Sequence, residues 1–310
     1  LKSVVGNRLV IIDAHLCLCK SIKALGHQTL TDSSGVPTAG INNMLDFIPK
    51  LRKAGASKII AVFDNPEKNP FKEAEYARRG LLRDECAQRA ANAQNVESKE
   101  NLESRAWSID EAVIWDAKNL LKLFGVDVHI APVGFEAEHY AAHLANIGFG
   151  GHPGVVISDD TDTVMFGAPV VLMPRTGKAD KSKTKYSVVA ISHLLTMYSL
   201  TMPEFRRICI MLGCDFIDRT PGCGPVTALT RGKNLKPTDD QQRILDYVSS
   251  TPSGPTEIIP GQMNILALAT WLSESKGFNY ERVAKKLGLA TTTSVKSLVI
   301  LPSAAMLGQQ

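Results

Sequence analysis

Leu9-Val10-Ile11-Ile12-Asp13 decides the fold: four consecutive apolar residues, three of them β-branched, closed by an aspartate. So short and uniform an apolar run predicts a strand buried on both faces, as parallel strands are when helices cover the sheet. Similar apolar runs return at Ile59–Phe63, Gly154–Ile157 and Val170–Met173, and Val126–Ile130 also reads as a strand. Between these runs lie helical stretches. Residues 38–53 carry Ile41, Met44, Leu45, Ile48 and Leu51 at helical spacing, and Glu136–Ile147 continues the pattern. The polar, Ala-rich stretch 72–122 predicts helices around 72–93 and 109–124 with a looser centre near 94–104. Strands alternating with helices predict an α/β fold with a mostly parallel central sheet flanked by helices, whose site lies at the carboxyl ends of the strands. Beyond about residue 190 the chain reads as helical: His193–Tyr198, Pro203–Leu212, Asp239–Ser249, Asn264–Lys276 and Tyr280–Leu287, with Thr251–Gly261 as a surface loop.

Bulk properties exclude several classes. Of 310 residues 44% are hydrophobic and 21% charged, the balance of an ordinary globular protein. A formal net charge of +4 is compatible with a polyanionic partner, while 6% aromatic content argues against extended stacking platforms for single strands. The six cysteines form no CxxC pair and read as reduced residues of an intracellular protein. No apolar stretch is long enough to span a membrane, and no secretory leader is read before the first strand. The chain opens on Leu1, so a further N-terminal segment is expected.

The acids fall in telling places. Asp13 and Asp64 each directly follow an apolar run, Asp160 and Asp162 come shortly after Val155–Ile157, and Asp215 ends Ile208–Gly213. Glu136 and Glu138 open the helix after Val126–Ile130. Any one of these is better read as a helix cap or turn residue, as Asp159 is. As a set they are harder to explain that way, because Leu123–Pro174 contains no Lys or Arg while it holds Asp127, Glu136, Glu138, Asp159, Asp160 and Asp162. Converging carboxylates repel and are costly to desolvate, and a divalent cation offsets both. All-oxygen donors favour Mg²⁺, with Mn²⁺ able to substitute, over zinc. In extended chain Asp160 and Asp162 would point to the same side, whereas Glu136 and Glu138, two apart on a helix, would not share a face. Two ions about 4 Å apart, held this way, are a common engine of phosphodiester hydrolysis.

Basic residues cluster at 68–89, among them Lys68, Lys72, Arg78, Arg79, Arg83 and Arg89. Lys72 and Arg79, seven apart, would share a helix face overhanging the acids and could hold a scissile phosphate; a solvated, ion-paired helix explains the composition about as well. Arg175–Lys185 reads as an exposed basic loop, either phosphate-tracking or simply a solvated hairpin. Gly222-Cys223-Gly224-Pro225 precedes a short helix, Val226–Thr230, and suits either a phosphate-facing backbone turn or a structural one. His139 and His143 lack a third zinc ligand and read as core or surface histidines.

Taken together, Asp13 in Ile-Ile-Asp-Ala, Asp64 in Val-Phe-Asp, Glu136-Ala-Glu138 after Ala131-Pro132, Asp160-Thr-Asp162 before Phe166-Gly167, and Leu212-Gly-Cys-Asp215 resemble the flap endonuclease family of 5′ structure-specific nucleases. The resemblance covers about 1–232, with a weaker echo at Lys276-Gly-Phe and Glu281-Arg282. It implies a PIN-like nuclease core at 1–232, a helical gateway and arch at 66–122, a helix-two-turn-helix near 208–232 with a potassium ion, and a C-terminal helical extension at 233–310. It implies that Asp13, Asp64, Glu136, Glu138, Asp160, Asp162 and Asp215 bind two Mg²⁺ ions, and that Lys72 and Arg79 act on the scissile phosphate. Lys72, Arg78, Arg79, Arg83, Gly222 and Gly224 are then the DNA-contacting set.

The implied reaction is hydrolysis of DNA near single-strand/double-strand junctions, as 5′ flap endonuclease and 5′–3′ exonuclease, in replication and repair. The implied partner is branched or flapped DNA, bound by a monomer in the nucleus, with viral or other cellular settings open. Departures from the family pattern are Cys19, where an aromatic residue is usual, and Val226 and Thr227, where lysine and arginine are usual. The stretch between Asp215 and Leu266 is shorter than expected, and no Gln-x-x-Leu-x-x-Phe-Phe motif is visible, so sliding-clamp binding is not expected. Two alternatives stand: an RNA-cutting relative, because such chemistry does not choose the sugar, and a catalytically silent nucleic-acid-binding scaffold. The presence of all seven carboxylates weighs against the second.

Overall fold

The computed structural model describes residues 1–25, 30–175, 185–259 and 261–289. Among them six strands form one sheet: β1 (Leu9–Asp13), β2 (Lys58–Phe63), β3 (Asp127–Ile130), β4 (Val155–Ile157), β5 (Val170–Arg175) and β6 (Lys185–Ala190). Their order is β3-β2-β1-β4-β5-β6; the first five are parallel and β6 runs antiparallel to β5. The first seven helices are α1 (Lys2–Val5), α2 (Ala14–Leu25), α3 (Ala39–Lys53), α4 (Glu73–Ala91), α5 (Val96–Ala106), α6 (Glu111–Leu123) and α7 (Ala137–Ile147). The rest are α8 (Asp162–Met165), α9 (Ile191–Tyr198), α10 (Met202–Leu212), α11 (Pro225–Arg231), α12 (Asp239–Ser249), α13 (Ile265–Glu274) and α14 (Tyr280–Leu287). No helix among the described residues is long and apolar enough to cross a membrane.

β1 is buried at every position, and its side chains alternate between two cores. Val10 and Ile12 pack with Leu45, Ile48, Leu120, Leu268 and Val283, drawn from α3, α6, α13 and α14. Leu9 and Ile11 pack on the other face with Tyr140, Leu144, Ile210 and Val248, drawn from α7, α10 and α12. The α/β layering expected from the sequence is therefore the one observed, and the C-terminal helices contribute directly to both cores.

Three elements differ from the sequence reading. The supposedly loose centre at 94–104 is helix α5, capped by Asn95, whose side chain accepts the Ser98 N–H at 3.1 Å. Its polar sequence hides it, because no apolar period marks a helix that packs mainly on α4. Residues 14–25, left unassigned, form α2. β6 is an edge strand with no fully buried position, which the apolar-run criterion passes over. Most of the basic loop expected at 175–185 lies outside the described residues.

Two tertiary devices tie the late part of the chain to the sheet. A strap leading from α12 to α13 passes β3 from its C-terminal to its N-terminal end. The Tyr140 hydroxyl donates to the Pro255 carbonyl, the Ile259 N–H donates to Asp127 Oδ2 at 2.9 Å, and the Asn264 N–H donates to the Leu123 carbonyl at 2.9 Å. At the far end Gly125 has φ +69°, and a Cβ there would sit 2.6 Å from the Gly261 carbonyl oxygen. Only glycine lets the two backbones approach so closely.

The second device is a buried ion triad. Lys276 Nζ lies 2.8 Å from Asp32 Oδ2 and 2.6 Å from Asp116 Oδ2, joining the α2–α3 connection, α6 and the residues after α13. Asp32 and Asp116 are only 8% and 2% exposed, so removing their shared cation strands two acids in the interior. Lys276→Met is expected to cost about 3–5 kcal/mol of stability, measured by urea unfolding; a change below about 1 kcal/mol would show that the triad is not under strong electrostatic load.

Candidate active site

β2 lies on one side of β1 and β4 on the other, so the path of the chain reverses at β1 and a crevice opens outside the strand ends there. A cavity of about 470 Å³ occupies this position, with Asp13, Asp64, Glu136, Glu138, Asp160 and Asp215 in its walls. Carboxylate oxygens of Asp64, Glu136 and Glu138 lie within 4.8 Å of one another.

Local structure explains how each acid reaches this point. Asp13 ends β1 at 4% exposure; its carboxylate accepts the Leu16 N–H at 3.0 Å and the Ser158 hydroxyl at 3.3 Å. Asp64 accepts the Ala137 N–H at 3.0 Å, so an acid from the neighbouring strand caps α7. Glu136, at the cap position itself, makes no side-chain cap and keeps its carboxylate for the cavity. Its extended backbone (φ −84°, ψ 157°) lets Glu136 and Glu138 both reach one cation, which helical spacing alone forbids.

Asp160 and Asp162 also depart from the extended geometry expected. Thr161 is helical, Asp162 begins α8, and Asp160 Oδ1 accepts the Asp162 N–H at 2.8 Å in a tight turn. Asp160 lines the cavity, whereas Asp162 does not; burial, and then Asp160 and Asp215, push the Asp162 carboxyl up to about 6.

Lys72 stands before α4, at the end of a short 3₁₀ turn (Pro70–Lys72), not on the helix face it was expected to share with Arg79. Asn69 starts this turn by accepting the Phe71 N–H at 3.0 Å, and its amide donates to the Tyr247 hydroxyl at 2.7 Å. Phe71 stacks on Tyr247 with centroids 4.6 Å apart. So anchored, the turn sends Lys72 inward to 3% exposure. Its Nζ lies 2.8 Å from Glu136, 3.1 Å from Glu138 and 3.3 Å from Asp215, and 5.0 Å from the centre of the Phe216 ring. Burial by itself would lower the Lys72 pKa, but Glu138, Glu136 and Asp215 carry it above the ordinary lysine value. Arg79 reaches the same acid from α4, with Nη2 2.7 Å from Asp215 Oδ2.

The other expected contact residues separate. Arg83 lines the cavity; Arg78 is exposed and forks onto Glu75 at 2.6 and 2.7 Å. Gly222 and Gly224 precede α11 and do not line the cavity; Gly222 is exposed with φ +70°. His139 is a core residue, stacked on Phe166 at 4.1 Å, and burial pulls its pKa down to about 4. None of the six cysteines is in a disulfide, and Cys86 and Cys223 are buried.

Sequence reasoning missed four residues around the acids. Tyr76 donates to Glu136 Oε1 at 3.0 Å, Ser158 bridges Asp13 and the Asp160 backbone, His15 lies 3.7 Å from Asp64, and Asn69 aims Lys72. Two of them carried a signal: Asn-Pro is a helix-start pair placed just before Lys72, and Tyr76 follows Lys72 by four residues. Ser158 carried none.

This donor set suits a hard cation. The acids offer only oxygen donors, and they outnumber the cations lining the same cavity, buried Lys72 and exposed Lys68, Arg79 and Arg83, so negative charge is in excess. Burial, and then Asp64, push the Asp13 carboxyl up from 3.8 to about 7, and Glu138 is raised mainly by burial. The sign of the consequence is definite. A carboxyl whose folded pKa exceeds its unfolded one supports folding fully at low pH, and that support is lost as pH rises through the folded pKa. In EDTA, Asp13→Asn is therefore expected to gain stability relative to the unmodified chain between pH 4 and about 7, where Asp13 ionises. Thermal melts across that range measure it; a constant difference would contradict the charge excess.

Comparison with known proteins agrees with this geometry. The XPG I-region model matches residues 125–215. Flap endonuclease 1 of Yarrowia lipolytica is 31% identical over 272 residues, covering 82% of this chain and 67% of the relative. That of Scheffersomyces stipitis is 30% identical, covering 83% and 66%, and that of Zea mays is 32% identical, covering 72% and 58%. The chain thus spans between 58% and 67% of the length of these relatives. Among solved structures, flap endonuclease-1 from Methanococcus jannaschii superposes with a TM-score of 0.63 at 18% identity, covering 92% of this chain and 91% of that one. The catalytic core of Rad2 in complex with DNA substrate gives 0.63 at 17% identity, covering 92% of each chain. These structures share the fold; the sequence relatives, taken with the ordered acidic motifs, establish that the chain belongs to the flap endonuclease family.

Proposed function

We propose that the protein is a Mg²⁺-dependent 5′ nuclease that hydrolyses DNA next to a single-strand/double-strand junction, releasing the 5′ branch. The observation that carries this reading is the cavity itself, in which acids from five separate segments meet Lys72, Arg79 and Arg83. Asp13, Asp64, Glu136, Glu138, Asp160, Asp162 and Asp215 would hold two Mg²⁺ ions, Mn²⁺ being the natural substitute. Bound there, such ions supply an activated water and stabilise charge on the phosphate and leaving oxygen.

The remaining work falls to the chain. Asp64 and Ser158 fix the acids by capping α7 and holding Asp13. Lys72 Nζ, protonated and kept in place by the Asn69–Tyr247 anchor, faces the phosphate as a preorganised positive charge. Arg79 and Arg83, on one side of α4, approach the same phosphate or its 5′ neighbour. Residues 66–122 would form the gateway for the free 5′ strand, and the Gly222–Pro225 turn with α11 would grip the duplex, with a potassium ion in that turn. A monomer acting on flapped DNA in the nucleus fits this reading.

A labelled 5′-flap duplex incubated with Mg²⁺, Ca²⁺ or EDTA tests it. Cleavage at the junction with Mg²⁺ alone is the expected result. Cleavage only of a matched RNA flap would reassign the substrate, and tight flap binding without cleavage would make the protein a scaffold.

A further inference from the structure

α8 is too short to hold itself in place. It is a helix of four residues, Asp162–Met165, and a single turn fixes more of the backbone than its few hydrogen bonds offset. Yet it begins on Asp162, and Asp160 stands just before it with its carboxylate on the Asp162 N–H. The position of both acids is therefore set from outside, and α10 sets it at both ends of the turn. At the start, the backbone of Asp215, which follows α10, donates to the Asp162 carboxylate. At the far end Arg206 of α10 closes the helix. Its Nε donates to the Met165 carbonyl at 3.2 Å and its Nη2 to the Phe166 carbonyl at 3.4 Å, so the last carbonyls of α8 find donors.

The same guanidinium also reaches α12, where Nη1 donates to the Ser249 hydroxyl at 3.1 Å. Ser249 follows closely on Tyr247, the residue that supports the Lys72 turn through Asn69 and Phe71. One side chain thus ties the turn that bears Asp160 and Asp162 to the helix that aims Lys72, without itself lining the cavity. Resting on the nuclease reading above, we propose that Arg206 is a positioning residue: it fixes the acids around α8 relative to Lys72. A planar guanidinium suits this work, because its donors sit in one rigid fork. Misplacing charges by an ångström slows a reaction even when no group in the cavity has been removed.

The test compares Arg206→Met, Arg206→Lys and Ser249→Ala, each assayed well below its melting temperature. Arg206→Met keeps an apolar stem without donors. It is expected to lower the single-turnover rate of flap cleavage in saturating Mg²⁺ roughly 10- to 100-fold, the range for groups that orient metal ligands. Flap affinity in Ca²⁺ should not change. Arg206→Lys, which can still donate to a carbonyl of α8, should recover part of the rate. A second readout needs no turnover: the affinity of the DNA-free protein for Mn²⁺, followed by electron paramagnetic resonance. It should weaken roughly 10- to 100-fold in Arg206→Met. Ser249→Ala loosens only the arm to α12, so it should slow cleavage severalfold and leave Mn²⁺ affinity as it was. An Arg206→Met protein that melts earlier yet cuts and binds Mn²⁺ normally would overturn the proposal, as would a loss confined to flap affinity. If Arg206→Met does not fold, normal rates in both other variants overturn it. Weakened Mn²⁺ binding in Arg206→Met, with no flap cleavage even by the unmodified chain, refutes the nuclease reading alone.

Discussion

Replacing Asp160 with alanine is expected to reduce flap cleavage by roughly 10³-fold or more while leaving junction affinity nearly unchanged. The carboxylate faces the cavity, and one of its oxygens also accepts the Asp162 N–H that starts α8. Alanine removes both contributions. Asp160→Asn separates them, because an amide oxygen can still accept that hydrogen bond but brings no charge. If Asp160 acts as a metal ligand, both variants lose cleavage, and the asparagine variant keeps its circular dichroism and melting temperature. Rapid cleavage by Asp160→Asn would mean that the turn, and not the charge, is what the site needs. Affinity for the flap, measured in Ca²⁺, should hold in both variants because most of the binding energy comes from phosphate contacts elsewhere.

Lys72→Ala is the second large effect, and it has two parts. In the reaction, loss of a preorganised positive charge at the phosphate is expected to lower the single-turnover rate roughly 10²- to 10³-fold with little change in affinity. A loss confined to affinity would remove Lys72 from the chemistry. In the metal-free protein the same change leaves Glu136, Glu138 and Asp215 without their shared ammonium in a buried setting. Stability in EDTA should fall by about 3–5 kcal/mol, the range for breaking a buried ion pair, and Mg²⁺ should recover much of it. An equal deficit with and without Mg²⁺ would indicate that Lys72 supports packing against Phe216 more than it neutralises the acids.

The fold was legible because parallel strands declare themselves. Buried on both sides, β1, most of β2, β4 and most of β5 are uninterrupted apolar runs, and acids stand at or just beyond the ends of the first three. What escaped had no such declaration. α5 is polar on every side, and β6 exists through its pairing with β5. At the site, residue identities were readable but their directions were not. Helical arithmetic put Lys72 beside Arg79 on one face and separated Glu136 from Glu138. The real arrangement depends on a 3₁₀ turn anchored through Asn69 and on an extended cap residue, both fixed by contacts with distant parts of the chain. Tyr247 shows the limit most plainly: it supports the Lys72 turn from 178 residues away along the chain from Asn69.

The strap beside β3 carries a consequence for handling the protein. β3 is the outermost parallel strand, with no strand on its far side among the described residues, and the strap is what stands beside that border. A protease cut near Ser253 would free it while sparing every strand of the sheet. The bared backbone groups of β3 could then recruit a strand from another molecule, so nicked preparations should precipitate long before they lose their secondary structure.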